Sequence, residues 1–376
     1  MTRSTFAQLA LAAAAVLGAQ AIHAANIVVG QVGPMSGMEA TQGRAYATGM
    51  ELYFNHVNKT GGAGGHTFTL VRKDDGGRPE DTVAITKQLL AENKPMVLAG
   101  YFGNRNIAEL LASGLLQKEK VPLVGYRSWE IRQDTPLLYN PRAGLKEEIG
   151  KLTEHLSTIG ITKLGLFYEA GPGAVNLVTV ADQAAKQARA QLVAQASYPS
   201  GTASVVQAVD SFAKTNPQAI LMVASGAAAA AFIEQYRQAG GTAQIFSHSG
   251  ADVEQMSKRL SEEQMQGVAI AQVTPSPYKI SSKVAKEFND IATKAEKLEV
   301  PIGYSMMEGF ITAKVIVEAV RRQAGRAPTR EGIVAALDAM DNYDLGGYVV
   351  GFKGNQRTGS KFVELSIVGS QGKIRQ

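Results

Sequence analysis

The sequence predicts an α/β protein made of two doubly wound parallel-sheet lobes. Three observations carry this expectation. Short apolar runs flanked by Gly or Pro, such as Ile27 to Val32 ahead of Gly33-Pro34, suit strands buried in a parallel sheet. Each run passes through a loop of small residues into a helical pattern, and such units fill the stretch from Asn26 to Trp129. The same alternation starts again near Leu145. In open sheets of this kind, ligands lie outside the carboxyl ends of the strands, so the loop Pro34 to Gln42 is where a ligand is first met.

The elements follow in order. Strand Ile27 to Val32 leads to a helix from about Gly43 to Asn58, with Met50, Phe54 and Val57 on one stripe. Strand His66 to Arg72 ends in the turn Asp74-Asp-Gly-Gly77, and Pro79 opens a helix to about Glu92. Strand Met96 to Gly100 precedes the loop Tyr101 to Asn106 and a helix to about Lys118. Strand Val121 to Val124 ends in Gly125-Tyr-Arg-Ser-Trp129. The second half reads helix Leu145 to Ile159, strand Lys163 to Tyr168, helix Ala174 to Ala190 and strand Gln191 to Tyr198. Pro199-Ser-Gly-Thr202 is read as capping a helix to Thr215. Strands Gln218 to Val223, Gln244 to His248 and Gly267 to Gln272 follow, with helix Gly226 to Gln238 after the first. Val273 to Tyr278 has the composition of a crossing segment. Beyond it come a solvated helix Ser282 to Leu298, an amphipathic helix Met306 to Arg322 and a short helix Pro328 to Met340. Strand-like Tyr348 to Phe352 and Lys361 to Val368 close the chain.

Composition narrows the function classes. The 376 residues suit two domains at ~150 residues each. Met1 to Ser4 carries Arg3, and Leu9 to Ala21 is small and apolar apart from Gln20. Residues 1–25 therefore read as a secretory signal peptide, cleaved after Ala21 or Ala24, which sends the mature chain to the periplasm. No later apolar run reaches the ~18 residues of a membrane span, so no membrane anchor is expected. The absence of cysteine excludes disulfides, thiolate metal ligands and a lipid anchor on Cys. Lys and Arg number 38 against 33 Asp and Glu, a formal charge of +5 without a basic run, and nucleic acid is not indicated as a partner.

Gly33-Pro-Met-Ser-Gly37, Gly43, Asn55-x-x-Asn58-x-x-Gly61-Gly62 and Asp74-Asp-Gly-Gly-x-Pro79 together carry a family resemblance. Val121-Pro-Leu-Val-Gly125 and Gly303-Tyr-x-x-x-x-Glu308-Gly309-x-x-x-Ala313 add to it. The chain resembles the periplasmic solute-binding proteins of branched-chain amino acid ABC importers, the Leu/Ile/Val-binding type. The resemblance covers essentially the whole mature chain. It implies a Venus-flytrap, type I periplasmic binding fold: two lobes joined by a three-strand hinge, with a ligand cleft between them. The expected lobes are 26–145 plus 274–342, and 146–273 plus 343–376. It implies a monomer, no enzymatic activity and no cofactor. The implied partners are a small-molecule ligand and an inner-membrane ABC permease. A ligand-sensing receptor subunit and an exported enzyme on the same scaffold are the alternatives.

In such a family, hydroxyl residues after the third and fourth strands hold a ligand carboxylate. Here those loops carry Phe102, Asn104-Arg105 and Arg127-Ser128-Trp129, so only Ser128 keeps the hydroxyl pattern. Ser36 and Gln42 come from the first loop, and Gln42 stands where an aromatic is usual. Arg105 and Arg127 suit bidentate bonds to an anion, or salt bridges between the lobes. Trp129, the only tryptophan, suits stacking on a flat ligand or packing near the hinge. Glu169 suits an amine or heterocycle N–H, and His248 suits a donor at a loop edge. Ser225, Gln272 and Tyr304 follow by position. The expected ligand is an amino acid, an amide, an aromatic carboxylate or a purine-like compound. The sequence holds no His-x-x-x-His, no carboxylate–His cluster at metal spacing and no Gly-x-Ser-x-Gly elbow, and Asp74-Asp75 reads as a structural cap.

Overall fold

The computed structural model describes residues 24–130, 135–323, 326–354, 356–369 and 374–375. The signal-peptide expectation falls almost wholly outside them. The first half runs β1 (Asn26–Gly33), α1 (Ala40–Lys59), β2 (Thr67–Asp74), α2 (Pro79–Asn93), β3 (Val97–Phe102), α3 (Asn104–Ala112), α4 (Leu115–Glu119), β4 (Leu123–Arg127) and β5 (Leu138–Tyr139). These strands form one parallel sheet in the order β2-β1-β3-β4-β5. β3 and β4 are buried throughout, as apolar runs covered by helices on both faces must be.

The second half repeats the plan with α5 (Leu145–Thr158), β6 (Lys163–Glu169), α6 (Ala174–Gln187), β7 (Gln191–Tyr198), α7 (Val206–Thr215), β8 (Ala219–Val223) and α8 (Gly226–Gln238). β9 (Gln244–Ser247), α9 (Val253–Arg259), α10 (Glu262–Met265) and β10 (Ala269–Gln272) complete it. β7-β6-β8-β9-β10 are parallel, in the same order as the first sheet. α11 (Lys283–Ala292), α12 (Tyr304–Arg321), α13 (Arg330–Asp338) and the short pair β11 (Tyr343–Asp344) and β12 (Val349–Val350) return to the first lobe's core. β13 (Glu364–Val368) then pairs antiparallel with β10, and β14 (Ile374–Arg375) with β13. The chain thus passes between the sheets three times: after β5, after β10 and after β12.

Several sequence expectations shift. The helix expected from Asn106 to Lys118 breaks at Gly114, whose φ of 67° only glycine adopts easily. Pro199 to Thr202 forms a turn, with Thr202 Oγ1 donating to Pro199 O at 2.7 Å, and α7 starts later, at Val206. Residues Val253 to Met265 form two helices that the reading left blank. α11 stops at Ala292 and buries Val284, Ala285 and Phe288 instead of standing free in solvent. α12 is buried on nearly every side because α1 lies along it. Residues after 343 were expected in the second lobe, yet Leu345, Tyr348, Val350 and Phe352 pack in the first core. The chain joins the second sheet only at β13.

Candidate functional site

The carboxyl ends of both sheets face each other across a cavity of about 560 Å³. Loops after β1, β3 and β4 line it from one side, and loops after β6, β8 and β9 from the other. In each sheet, strand order reverses beside the first strand, which is where open α/β sheets leave a crevice. The first loop is held in place by the Asp74 turn. Asp74 Oδ1 accepts the backbone N–H groups of Met35 (2.9 Å), Ser36 (3.2 Å) and Gly76 (2.8 Å). Asp75 accepts from Gly77 N (2.8 Å) and Thr82 Oγ1 (2.7 Å). Both carboxylates thus serve as the structural cap read from the sequence.

The floor of the cavity is a buried ionic chain. Arg127, at the end of β4, donates from Nη2 to Glu308 Oε1 at 2.5 Å and from Nε to Glu308 Oε2 at 3.3 Å. Its Nη1 donates to Gln42 Oε1 at 2.5 Å, and the guanidinium lies over the Phe102 ring. Arg142, in the first crossing segment, donates to Glu308 Oε2 (3.2 Å), to Glu148 Oε1 (2.7 Å) and to Ser249 Oγ. Glu148 Oε2 accepts Ser249 N at 2.7 Å. Burial pushes the Glu308 carboxyl up, but the two guanidiniums outweigh it and hold the group below the usual carboxylate range. Burial, helped by Arg142 and Arg127, drives the His248 imidazole down to about 3, so it is neutral at physiological pH. Its Nδ1 has no hydrogen-bond partner within the protein.

The two rims meet directly. On one, Asn104 Nδ2 and Trp129 Nε1 reach across to Glu169 Oε2 at 2.8 and 3.0 Å. Glu169 Oε1 takes Ser200 Oγ at 2.6 Å and Gly201 N at 3.3 Å, so both of its oxygens are engaged by protein. On the other rim, Gln42 Nε2 donates to Gln255 Oε1 (2.8 Å), and Gln255 Nε2 donates to Met38 O (2.9 Å). The structure is a closed cleft.

Most of the sequence candidates border this cavity: Gln42, Phe102, Asn104, Arg105, Arg127, Ser128 and Trp129 from the first lobe, and Glu169, Ser225 and His248 from the second. Ser36 lies outside it, exposed in the Asp74 turn. Gln272 is buried at the end of β10, away from the lining. Tyr304 is buried in the second core, with its hydroxyl 3.1 Å from Ser366 Oγ. Arg127 faces Glu308 and Gln42, whereas Arg105 is half exposed and pairs with Glu109 at 3.4 Å. Trp129 leaves the first sheet yet packs into a core cluster with Leu145, Leu166 and Val223 of the second lobe. Sequence reasoning passed over Glu39, Arg142, Glu148 and Glu308 as site residues. Glu308 stood inside a quoted motif, and Arg142 stood in a crossing segment, which are the two signals available.

The comparisons agree with this geometry. A substrate-binding periplasmic protein from Ralstonia solanacearum is 35% identical and superposes with a TM-score of 0.86, covering 93% of this chain and 99% of that one. A Leu/Ile/Val-binding protein homolog 7 from Brucella melitensis is 21% identical over 375 residues, covering 96% of this chain and 93% of its own length. An amino acid binding protein from Pseudomonas aeruginosa is 33% identical over 94 residues, and the match spans only 25% of that protein's length. Among the described residues, no helix is long and apolar enough to cross a membrane. The model of one family, described as periplasmic binding protein, matches residues 26–365, and the chain belongs to that family.

Proposed function

We propose that this chain is the periplasmic receptor of an ABC importer, which closes on a small solute and hands it to an inner-membrane permease. The observation that carries the reading is the cavity of about 560 Å³, walled equally by the strand ends of two lobes. A ligand bridging both walls shifts a hinge equilibrium toward the closed form. Ligand cavities of this kind hold a few placed polar groups among apolar walls. Here Phe102 and Trp129 supply flat apolar surface, and Ser128, Asn104 and His248 supply polar edges.

The solute classes that suit these walls are an aromatic carboxylate, an amide, a purine-like compound or an amino acid. The lobes of the proposal are the two sheets with their helices, the first including α11 to α13. Binding and release of an unaltered solute is the whole of the proposed activity. The experiment is a thermal-shift screen of residues 26–376 against those four classes and short dicarboxylates. A ligand at ~100 times its Kd stabilises by about 2.7 kcal/mol, a rise of several degrees. A rise with an aromatic carboxylate, amide or purine is the expected outcome. A rise confined to aliphatic amino acids would remove the aromatic walls from the reading, and chemical conversion of a bound compound would overturn it.

A further inference from the structure

Glu39 ends the loop after β1, directly ahead of α1, yet its carboxyl group belongs to the seam between the lobes. Its Oε2 accepts Gln42 Nε2 at 2.6 Å, and its Oε1 receives Ala227 N–H, in the first turn of α8, at 3.5 Å. Gln42 and Met38, on either side of it, make the only direct bonds to Gln255 found on this rim among the described residues. Glu39 therefore sits at the centre of one closing edge, in contact with the second lobe through a helix N-terminus that favours negative or hydrogen-bond-accepting groups.

We propose that Glu39 positions the closed cleft, joining the first lobe to the start of α8, and that closure takes up a proton at this carboxyl group. The groups that face it are Gln42 from α1, Ser225 and Ala227 from the start of α8, Asp252 ahead of α9, and Arg127 from the end of β4. Loss of water on burial is the largest influence and Asp252 adds repulsion. The bond from Ala227, the charge of Arg127 and the bond from Ser225 act against them. The balance raises the group from an ordinary 4.5 to about 7 in the closed form. Some of Glu39's surface stays exposed, so water screens part of this effect.

The sign follows from linkage. Opening returns the carboxyl group to water and toward its ordinary value, so the closed form binds the proton more tightly. Acid therefore favours closure. The closed-to-open ratio rises as pH falls from about 7 toward 4.5 and is level above that window, and a gain of about tenfold corresponds to one pKa unit. Glu254 is a second seam carboxyl, pushed up to about 8 by burial and Asp252, and it accepts Tyr304 N at 2.9 Å. It remains in any Glu39 variant and sets the background slope.

The inference rests on the reading that the lobes open and close. The test is an interlobe distance measurement on unliganded protein. Because the chain has no cysteine, Lys118→Cys and Lys214→Cys on opposite lobes take spin labels without interference. Pulsed electron–electron resonance then gives the open and closed populations from pH 5 to 8.5. The expected result is a closed fraction that grows with acid in the parent and loses about tenfold of that dependence in Glu39→Gln, a neutral isostere. The same pH profile in parent and variant overturns the role of Glu39 while leaving the hinge intact. A single distance at every pH in both proteins overturns the hinge reading and the proposal with it.

Discussion

At the scale of single residues, the cleft floor is held by charge. Glu308 lies between Arg127 and Arg142, and all three are buried or nearly so. Removing one member of such a group leaves an uncompensated charge in a poorly hydrated place, which costs far more than the pair itself contributes. Glu308→Gln keeps the shape and removes the charge. It should lower unfolding stability by about 3–5 kcal/mol in a urea titration, whereas a loss under about 1 kcal/mol would show that water reaches the site. The sequence carried only half of this. Glu308 was visible in a motif, but its partners stand 181 and 166 residues away, and no local spacing reports contacts that distant. Arg127 was legible as a site residue for the same reason that its role was not: a strand-end arginine faces the cleft, while its partner is chosen by α12.

Among elements, the closest fit is α1 against α12. A Cβ placed on Gly49 would lie 1.9 Å from Met306 O, and one on Gly309 would lie 2.0 Å from Tyr46 O. Backbone meets backbone at both points, so neither contact can relax by a side-chain rotation. Gly309→Val should therefore cost about 3 kcal/mol or more and lower Tm by several degrees. Gly150, also inside a helix but with open space around its Cβ position, is the control: Gly150→Ala should leave Tm unchanged or raise it. The stripe Met306, Phe310, Ala313 and Val317 was legible as core and is core. The burial of the remaining faces of α12 was not, because helix periodicity reports one partner and this helix has several.

For the whole molecule, Trp129 links the scales. It springs from β4 of the first sheet, packs in the second lobe's core, and donates to Glu169 across the seam. Closure therefore buries the only tryptophan of the chain, which is 7% exposed in this structure. Emission from Trp129 should shift to shorter wavelength and gain protection from acrylamide when a solute closes the cleft. Glu169→Gln, which weakens the link without opening a cavity, should reduce the unliganded closed fraction and raise quenching. Unchanged quenching in Glu169→Gln would separate Trp129 from the motion.

Sequence by itself determined the alternating strands and helices, the repeat of the plan in two halves, and the strand ends at which a ligand would lie. Those features follow from local hydrophobic period and from Gly and Pro punctuation, which act within a few residues. It also marked Gln42, Asn104, Arg127, Trp129 and Glu169 as residues of the cleft, because strand-end loops gather at one edge of a sheet. Only the tertiary structure decided that the arginines bind Glu308 and Glu148, that Glu169 is taken up by Asn104 and Trp129, and that Glu39 reaches α8. Those partnerships join residues from opposite lobes, and they exist only once the chain has crossed three times and the two sheets have closed on one another.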